Sequence, residues 1–419
     1  MNSIWLAGSI FLLTYALIVS EKIHRTISAL LGGLAMILFV IPQETAFHSI
    51  DWNVIFLLAG MMVIANILKE TGLFQWIAFQ AVSLGKGDPF RVLVILSVIT
   101  AITSAFLDNV TIVVLIAPVT LFVASSLRVS PIPFLIAEIL ASNIGGMATL
   151  VGDPPNILIG SAAGIDFVTF LSNMGPISLI VLLVFIGISR FLFKKDLIVH
   201  HQPETMISDL DSTVLITDPL LLRKSLIIMA VVTLGFLLHG ALHLEPATIA
   251  LTGATLLMLW SNTDPHNALR EIEWTTLFFF FGLFITVEAI VEVGLIEIIA
   301  DAALRLTGGN LSLTSILLIW FSAIVSGIVD NIPYTATMIP IVKSLAQVMP
   351  AEPLWWSLAL GADLGGNLTI VGAAANVIVV SLAEKSGHPI SFRKFFRYGV
   401  ITTVMSLTLA SGYVWLRYL

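Results

Sequence analysis

Long apolar segments recur along the chain and set its architecture. Full membrane spans are predicted in the first half at about 3–20, 24–41, 53–69, 132–160 and 171–193. In the second half they are predicted at about 218–238, 246–262, 274–291, 352–380 and 397–417. Each segment is long enough to cross the roughly 30 Å hydrocarbon core as an α-helix. The pattern predicts an all-α polytopic protein whose surface contacts the lipid bilayer.

Two further apolar segments, at about 90–127 and 311–349, carry a polar pair at their centre. The pairs are Asp108-Asn109 and Asp330-Asn331. Each segment is either two full spans or one re-entrant hairpin with the pair at its tip. Irregular backbone at membrane depth is tolerated only where protein or a water-filled cavity surrounds it.

The polar motifs occur twice, at an offset of about 220 positions. Asp108-Asn109 returns as Asp330-Asn331, Gly145-Gly146 as Gly365-Gly366, and Asn156 as Asn376. Each half holds five spans and one segment that returns to the side of the membrane from which it entered. Because the number of crossings is odd, the second copy has the opposite orientation in the membrane. We therefore predict two inverted repeats, each with a re-entrant hairpin and a broken helix. The predicted boundaries are residues 1–193 for the first repeat, 194–217 for a polar linker and 218–419 for the second repeat.

The positions of the basic residues predict the orientation. If the loop around Lys22 is cytoplasmic, then all but Arg305, Lys343 and Arg417 of the 19 basic residues fall on that side. The positive-inside rule then places both termini outside and the linker in the cytoplasm. Charged residues make up only 11% of the chain and the mean hydropathy is +1.03, which suits a multi-pass protein of the cell (inner) membrane.

The matched motifs predict one polar site built by both halves. Polar groups in hydrocarbon are costly unless they face a cavity or each other. Paired glycines permit a break in a helix and close backbone approach, and each asparagine offers both a donor and an acceptor. The site residues expected from this pattern are Asp108, Asn109, Gly145, Gly146, Asn156, Asp330, Asn331, Gly365, Gly366 and Asn376.

Three carboxylates, Asp363, Asp108 and Asp330, are the candidate proton carriers. A carboxylate in a cavity of low dielectric can exchange a proton near neutral pH. Asp363 stands where the first half has neutral Asn143, so it is the sharpest candidate for a single coupling group. The alternative for each is a permanently hydrogen-bonded contact between helices. Asp153 either caps the half-helix that begins at the next residue or belongs to the site.

Several kinds of chemistry are not expected. The chain has no cysteine, which excludes disulfides and thiolate metal sites. His239 and His243 have the spacing of metal ligands, but they lie at a predicted span end and fit an interfacial role better. Gly85-Lys86 lacks the flanking residues of a phosphate-binding loop. We expect no enzymatic activity, cofactor, bound metal or nucleic-acid partner.

The motifs Phe106-Leu107-Asp108-Asn109-Val110-Thr111 and Asn143-Ile144-Gly145-Gly146, with the stretch to Asn156, resemble those of the ion transporter superfamily. The similarity is to the branch of the arsenite permeases and the melanosomal P protein, with sodium/proton antiporters of the NhaD type nearby. It covers essentially the whole chain. Relatives of known architecture have inverted repeats, two re-entrant hairpins and two broken helices.

The resemblance also implies site residues and partners. One hairpin tip would be formed by Asp108, Asn109, Val110 and Thr111, and the other by Asp330, Asn331 and Ile332. The implied partners are a second copy in a homodimer and a soluble ATPase. The dicarboxylate branch carries Ser-Asn-Thr at both tips, so the Asp-Asn pairs here argue against a dicarboxylate substrate.

The function predicted from these features is proton-coupled export of arsenite or antimonite. Arsenite at neutral pH is an uncharged trihydroxide, which asparagine side chains and backbone dipoles can hold without thiolates. The alternatives are a sodium/proton antiporter, for which the aspartates would be cation ligands, and a carrier of another anion or organic acid. A membrane scaffold without transport does not explain the matched buried polar motifs.

Overall fold

Helices form every regular element in the residues that this computed structural model describes, which are 2–20, 22–194, 197 and 216–419. Most of the predicted linker, including Lys195, His200-His201 and Asp209, lies outside the described residues. The first half contains α1 Asn2–Ser20, α2 Arg25–Phe39, α3 Gln43–His48, α4 Trp52–Lys69, α5 Leu73–Gly85, α6 Pro89–Ser104, α7 Asn109–Ser126, α8 Ile132–Gly146, α9 Pro154–Ala163 and α10 Phe167–Phe193.

The second half repeats this order helix by helix. It contains α11 Pro219–Leu242, α12 Pro246–Ser261, α13 Pro265–Arg270, α14 Trp274–Glu292, α15 Leu295–Thr307, α16 Leu311–Val329, α17 Asn331–Leu345, α18 Ala351–Gly365, α19 Ala374–Lys385 and α20 Phe392–Tyr418. A short 3-10 turn, Ile370–Gly372, lies between α18 and α19. Each helix of the first half therefore has a counterpart ten places later.

The packing of the halves is reciprocal. Helix α2 packs on α14 and its counterpart α12 packs on α4, while α7 contacts α19 and α17 contacts α9. Such an exchange is what a two-fold axis between the halves produces. With five crossings in each half the axis lies in the membrane plane, so the repeats are inverted and the predicted fold class is confirmed.

Eight helices of the described chain are long and apolar enough to cross a membrane by length and composition: α1, α4, α7, α10, α11, α14, α16 and α20. The predicted spans 132–160 and 352–380 are each made by two shorter helices, α8 with α9 and α18 with α19. Exposed leucines such as Leu12, Leu183 and Leu237 stand on the outer helices, where lipid covers them.

The two segments with central polar pairs are re-entrant hairpins. The first, α6 and α7, has its tip against the break between α8 and α9, where the Asn109 amide donates to the Gly152 carbonyl at 3.1 Å. The second, α16 and α17, meets the break after α18, where the Thr369 hydroxyl donates to the Gly327 carbonyl at 2.6 Å. Because each break lies midway through a spanning pair of helices, the tips lie at mid-depth.

Close backbone contact explains the glycines at the breaks. A Cβ atom on Gly145 would lie 2.0 Å from the Ala101 carbonyl oxygen in α6, and one on Gly365 would lie 2.6 Å from that of Ala323 in α16. The hairpins therefore pass the broken helices at distances that only glycine permits. Two prolines, Pro154 and Pro155, begin α9, whereas α19 begins without proline.

Four helices were not predicted, the short α3 and α13 and the longer α5 and α15. Helix α5 packs on α6 and α7, and α15 packs on α16 and α17. Each begins directly after a glycine of positive φ, Gly72 at 80° and Gly294 at 79°. Helix α15 carries Glu297, Asp301 and Arg305 at four-residue spacing, so only one side of it is apolar. A half-polar helix of this length lacks the continuous apolar run of a span.

Candidate functional site

One asparagine closes each helix break. Asn156 in α9 donates from Nδ2 to the carbonyl oxygens of Gly146 (3.2 Å) and Thr149 (3.0 Å). Its counterpart Asn376 in α19 makes the matching bonds to Gly366 (2.7 Å) and Thr369 (2.9 Å). These are carbonyls that the interrupted helix leaves without intrahelical partners. The amide nitrogens are thus committed to the backbone, and the Oδ1 atoms point to other groups.

A chain of amide hydrogen bonds joins the two halves. Asn143 at the end of α8 donates from Nδ2 to Asn367 Oδ1 at 3.0 Å and to Asn376 Oδ1 at 3.2 Å. Asn109 at the first hairpin tip donates to Asn143 Oδ1 at 3.2 Å. Asn143 therefore links a hairpin tip of its own half to the broken helix of the other half.

Asp153 links both hairpin tips. One carboxylate oxygen accepts from Asn109 Nδ2 at 2.7 Å and the other from Asn331 Nδ2 at 3.2 Å. Its side chain makes no capping bond to α9, so the capping alternative is wrong, and Asp153 is part of the hydrogen-bond network instead. The matching position in the second half is Ala373, which makes this link specific to the first repeat.

Asp363 in α18 faces the Asn156 side chain, as Asn143 faces Asn376 in the matching contact. Both Asp363 carboxyl oxygens and Asn156 Oδ1 lack a hydrogen-bond partner among the described residues. Asp363 is also completely buried. This contact thus contains three oxygens without a donor, where the matching contact in the other repeat pairs an N–H donor with an acceptor. A proton on Asp363 turns this unpaired contact into an O–H···O bond.

Asp108 and Asp330 lie at the hairpin tips beside the amide network and bond to other groups. Asp108 caps α7, accepting from the Thr111 amide at 2.9 Å and from the Thr111 hydroxyl. Asp330 accepts from the Ile332 amide at 3.0 Å and from Arg25 Nη1 at 3.2 Å. Both are still close enough to Asp153 to repel its charge, as is Asp363. Four carboxyl groups therefore lie near one another here.

The remaining predicted residues surround the network, and the carbonyls of Gly146 and Gly366 accept from Asn156 and Asn376. Val110 and Ile332 are buried apolar neighbours of the tips, and Gly145, Gly146, Gly365 and Gly366 supply the tight backbone of the breaks. Asn109, Asn143, Asp153, Asn331, Asn367 and Asn376 are all buried. A solute that bound at this place would replace some of these amide contacts.

A cavity of about 520 Å³ approaches this network at the second tip, and Asp330 is part of its wall. Other wall residues are Arg25 at the start of α2, Glu273 and Thr276 at the start of α14, and Val371 in the 3-10 turn. The cavity opens on the side of the loop between α1 and α2.

Three network residues, Asn143, Asp153 and Asn367, were not among the predicted binding residues. All three flank the recognised motifs, but only the fold brings their side chains to one point. His239 accepts from the Phe167 amide at 2.9 Å and thus holds the loop before α10. No group of three or more histidines and acids suited to a metal occurs within the described ranges.

Comparison with known proteins agrees with this architecture. The profile of CitMHS, described as a citrate transporter family, matches residues 15–361. The chain belongs to this family. An uncharacterized transporter of Mycobacterium tuberculosis is 45% identical over 421 residues, covering 98% of both chains. The 46 kDa membrane protein of Mycobacterium leprae is 45% identical over 423 residues, covering 99% of both.

More distant relatives extend the comparison. The human P protein is 33% identical over 500 residues, which cover 99% of this chain and 60% of the P protein. This match confirms the resemblance to the P-protein branch. The crystal structure of the Alcanivorax borkumensis YdaH transporter has a TM-score of 0.62 at 13% identity, covering 90% of this chain and 87% of that one, and so shares the fold. The chain is a multi-pass membrane transporter rather than an enzyme.

Proposed function

We propose that the chain is a proton-coupled secondary transporter that exports arsenite or antimonite across the cell (inner) membrane. In this proposal residues 1–193 and 218–419 are the two repeats and 194–217 is a cytoplasmic linker. Both termini are external, because nearly all basic residues then lie in the cytoplasm. The partners are the solute, protons and the bilayer. A homodimer and a soluble ATPase remain predictions from the resemblance.

The contact between Asp363 and Asn156 carries the proposal of proton coupling. In the matching contact an amide of Asn143 donates to Asn376 Oδ1, and it cannot titrate. At Asp363 the same bond forms only when the carboxyl is protonated, because Asn156 has both amide hydrogens committed to carbonyls. One repeat thus holds a fixed bond and the other a bond that a proton makes and breaks. This is the property that a coupling group needs.

The chemistry of the network favours a small neutral polyhydroxyl solute. Asparagine amides offer donors and acceptors side by side, and the trihydroxide of arsenic or antimony presents hydroxyls in the same way. The family description names citrate, but a free tricarboxylate would meet repulsion from the surrounding acids. These acids are Asp108, Asp153, Asp330 and Asp363.

Sodium/proton exchange is the second candidate, and Asp153 favours it. Its carboxylate lies between two asparagine side chains that come from opposite hairpins. Carboxylate and amide oxygens are ligands that hard cations prefer. If the asparagine amides rotate, their oxygens and Asp153 would surround a small cation.

Transport in proteoliposomes tests the proposal. Liposomes with an acidic interior are given arsenite, antimonite, sodium or citrate in parallel, and uptake is followed with and without nigericin to collapse the pH gradient. Arsenite and antimonite should accumulate only while the gradient lasts. Accumulation of sodium alone would favour the second candidate. Accumulation of citrate alone, or uptake of arsenite that ignores nigericin, would overturn the proposal.

A further inference from the structure

Two cavities of about 520 Å³ each lie at related places in the two repeats. We name them the Arg25 cavity, whose wall includes Arg25, Thr275 and Val377, and the His239 cavity, whose wall includes Asn53, Pro246 and Ile157. The positions Thr275 and Asn53 correspond in the repeat, as do Val377 and Ile157. The two cavities therefore occupy equivalent positions in the two repeats.

The helix packing aligns Arg25 with Pro246. Gly282 in α14 approaches the backbone of Ala29 in α2, and its counterpart Gly60 in α4 approaches that of Ala250 in α12. Counting back along α2 and α12 from these contacts pairs Arg25 with Pro246, the first residue of α12. The first cavity therefore has a cation where the second has an uncharged ring.

The cavities also differ in what they reach. Asp330, at the tip of the second hairpin, is in the wall of the Arg25 cavity. The matching Asp108 is not in the wall of the His239 cavity. The Arg25 cavity therefore borders the hairpin tip next to it, whereas the His239 cavity does not border the matching tip.

Arg25 is held against the packed helices α2 and α14. Its neighbour Thr26 donates from the hydroxyl to the Thr275 carbonyl at 2.7 Å, and its guanidinium lies 5.5 Å from the Phe279 ring centre. From this base Arg25 Nη1 reaches Asp330 at 3.2 Å across the repeats. The pair joins the α2–α14 unit to a hairpin tip.

The backbone at Asp330 is held in a strained form. Its φ is 88°, whereas Asp108 at the matching tip has an ordinary φ of −59°. Such a value in a residue with a side chain persists only where the surroundings enforce it. The Asp330 carboxylate accepts hydrogen bonds from the Ile332 amide and from Arg25. These bonds hold the residue in this backbone conformation.

We propose that Arg25 is a gating residue, whose ion pair with Asp330 holds the second hairpin tip in the conformation that opens the Arg25 cavity to the site. The proposal rests on the transport function, since alternation between two sides requires that this contact breaks in each cycle. Pro246 cannot form an equivalent contact with Asp108 at the other cavity. The pair therefore biases the resting transporter toward one side.

Site-directed labelling tests this inference without any transported solute. The chain has no cysteine, so Val377→Cys reports the Arg25 cavity and Ile157→Cys reports the His239 cavity. Both are reacted with a polar maleimide in lipid nanodiscs, where both membrane faces are accessible. Arg25→Gln should slow labelling at 377 and speed it at 157, changing the ratio of rates by about two- to fivefold, the range that a partly exposed ion pair supports.

Three further variants separate gating from general structural damage. Asp330→Asn breaks the pair from the other partner and should shift the ratio in the same direction, with no further shift when both changes are combined. Arg25→Lys keeps the charge and should retain most of the wild-type ratio. Lys22→Gln removes an exposed charge from the same loop and should change nothing.

An unchanged ratio in both Arg25→Gln and Asp330→Asn would overturn the inference, as would an equal shift in Lys22→Gln. A failure of the proposed function is seen separately, because it would abolish solute transport while leaving these labelling rates as predicted.

Discussion

Replacing Asp363 by asparagine should make a permanent hydrogen bond at the contact with Asn156 that we assign to proton coupling. The new Nδ2 would donate to Asn156 Oδ1, copying the bond of 3.2 Å that Asn143 makes to Asn376. The side chain keeps its size and shape, so folding should be retained. Asp363→Ala would leave Asn156 Oδ1 buried without any donor, which costs about 1–3 kcal/mol. Asp363→Asn should therefore unfold at a higher temperature than Asp363→Ala.

The effect on transport follows from the fixed bond. A gradient of one pH unit corresponds to about 1.4 kcal/mol, or about tenfold accumulation for one-for-one exchange. Wild-type protein should approach this value in liposomes with an acidic interior. Asp363→Asn should exchange labelled for unlabelled solute at equal concentrations, but its accumulation ratio should remain about one.

The reverse change is the matched control. Asn143→Asp replaces an amide that donates to Asn367 and Asn376, so it should lose about 1–3 kcal/mol for each unpaired acceptor. If Asp363→Asn accumulates solute as well as the wild type does, the proton does not travel through this carboxyl. If Asn143→Asp is as stable as the wild type, the amide network is not arranged as described.

Two further predictions concern the network and the breaks. Asn109→Ala removes two hydrogen bonds, including one to Asp153, and should weaken solute binding about 5- to 150-fold, which corresponds to about 1–3 kcal/mol. The control Asn66→Ala loses a peripheral bond to Glu271 and should bind the solute normally. Equal affinities of the two variants in competition assays would remove Asn109 from the site. Gly145→Ala should lower the unfolding temperature, because its Cβ meets the Ala101 carbonyl at 2.0 Å and overpacking costs about 1–3 kcal/mol. In the control Gly187→Ala the new Cβ meets no atom within 4 Å, so the unfolding temperature should rise slightly. A similar change of unfolding temperature in both variants would refute the close contact between Gly145 and Ala101.

Much of the fold was predictable because membrane depth constrains the sequence strongly. Apolar runs located the spans, and the repeated Asp-Asn and Gly-Gly motifs located the tips and breaks. Helix α15 was not predicted because its apolar side is narrow, and α5 because its 13 residues are too few for a span. Both begin after glycines that resemble loop residues. The choice between two spans and a hairpin needed the contact of Asn109 with Gly152, which apolar periodicity cannot specify.

The candidate site was predictable as a set of motifs, but not as a set of bonds. Asp153 could be either a cap or a ligand until its two oxygens were placed between Asn109 and Asn331. Arg25 lies 305 positions from Asp330, and no local pattern connects them. Asp363 was recognised through the repeat itself, since an acid at the place of Asn143 is visible in the sequence.

Proton movement driven by the solute tests the central claim most directly. Proteoliposomes that contain a fluorescent pH indicator, with equal pH on both sides, receive arsenite or antimonite outside. Entry of the solute should drive protons out and make the lumen alkaline in the wild type, whereas Asp363→Asn should admit the solute without a change in lumenal pH. Solute entry into wild-type liposomes with no proton movement, or equal alkalinisation in the variant, would contradict the account.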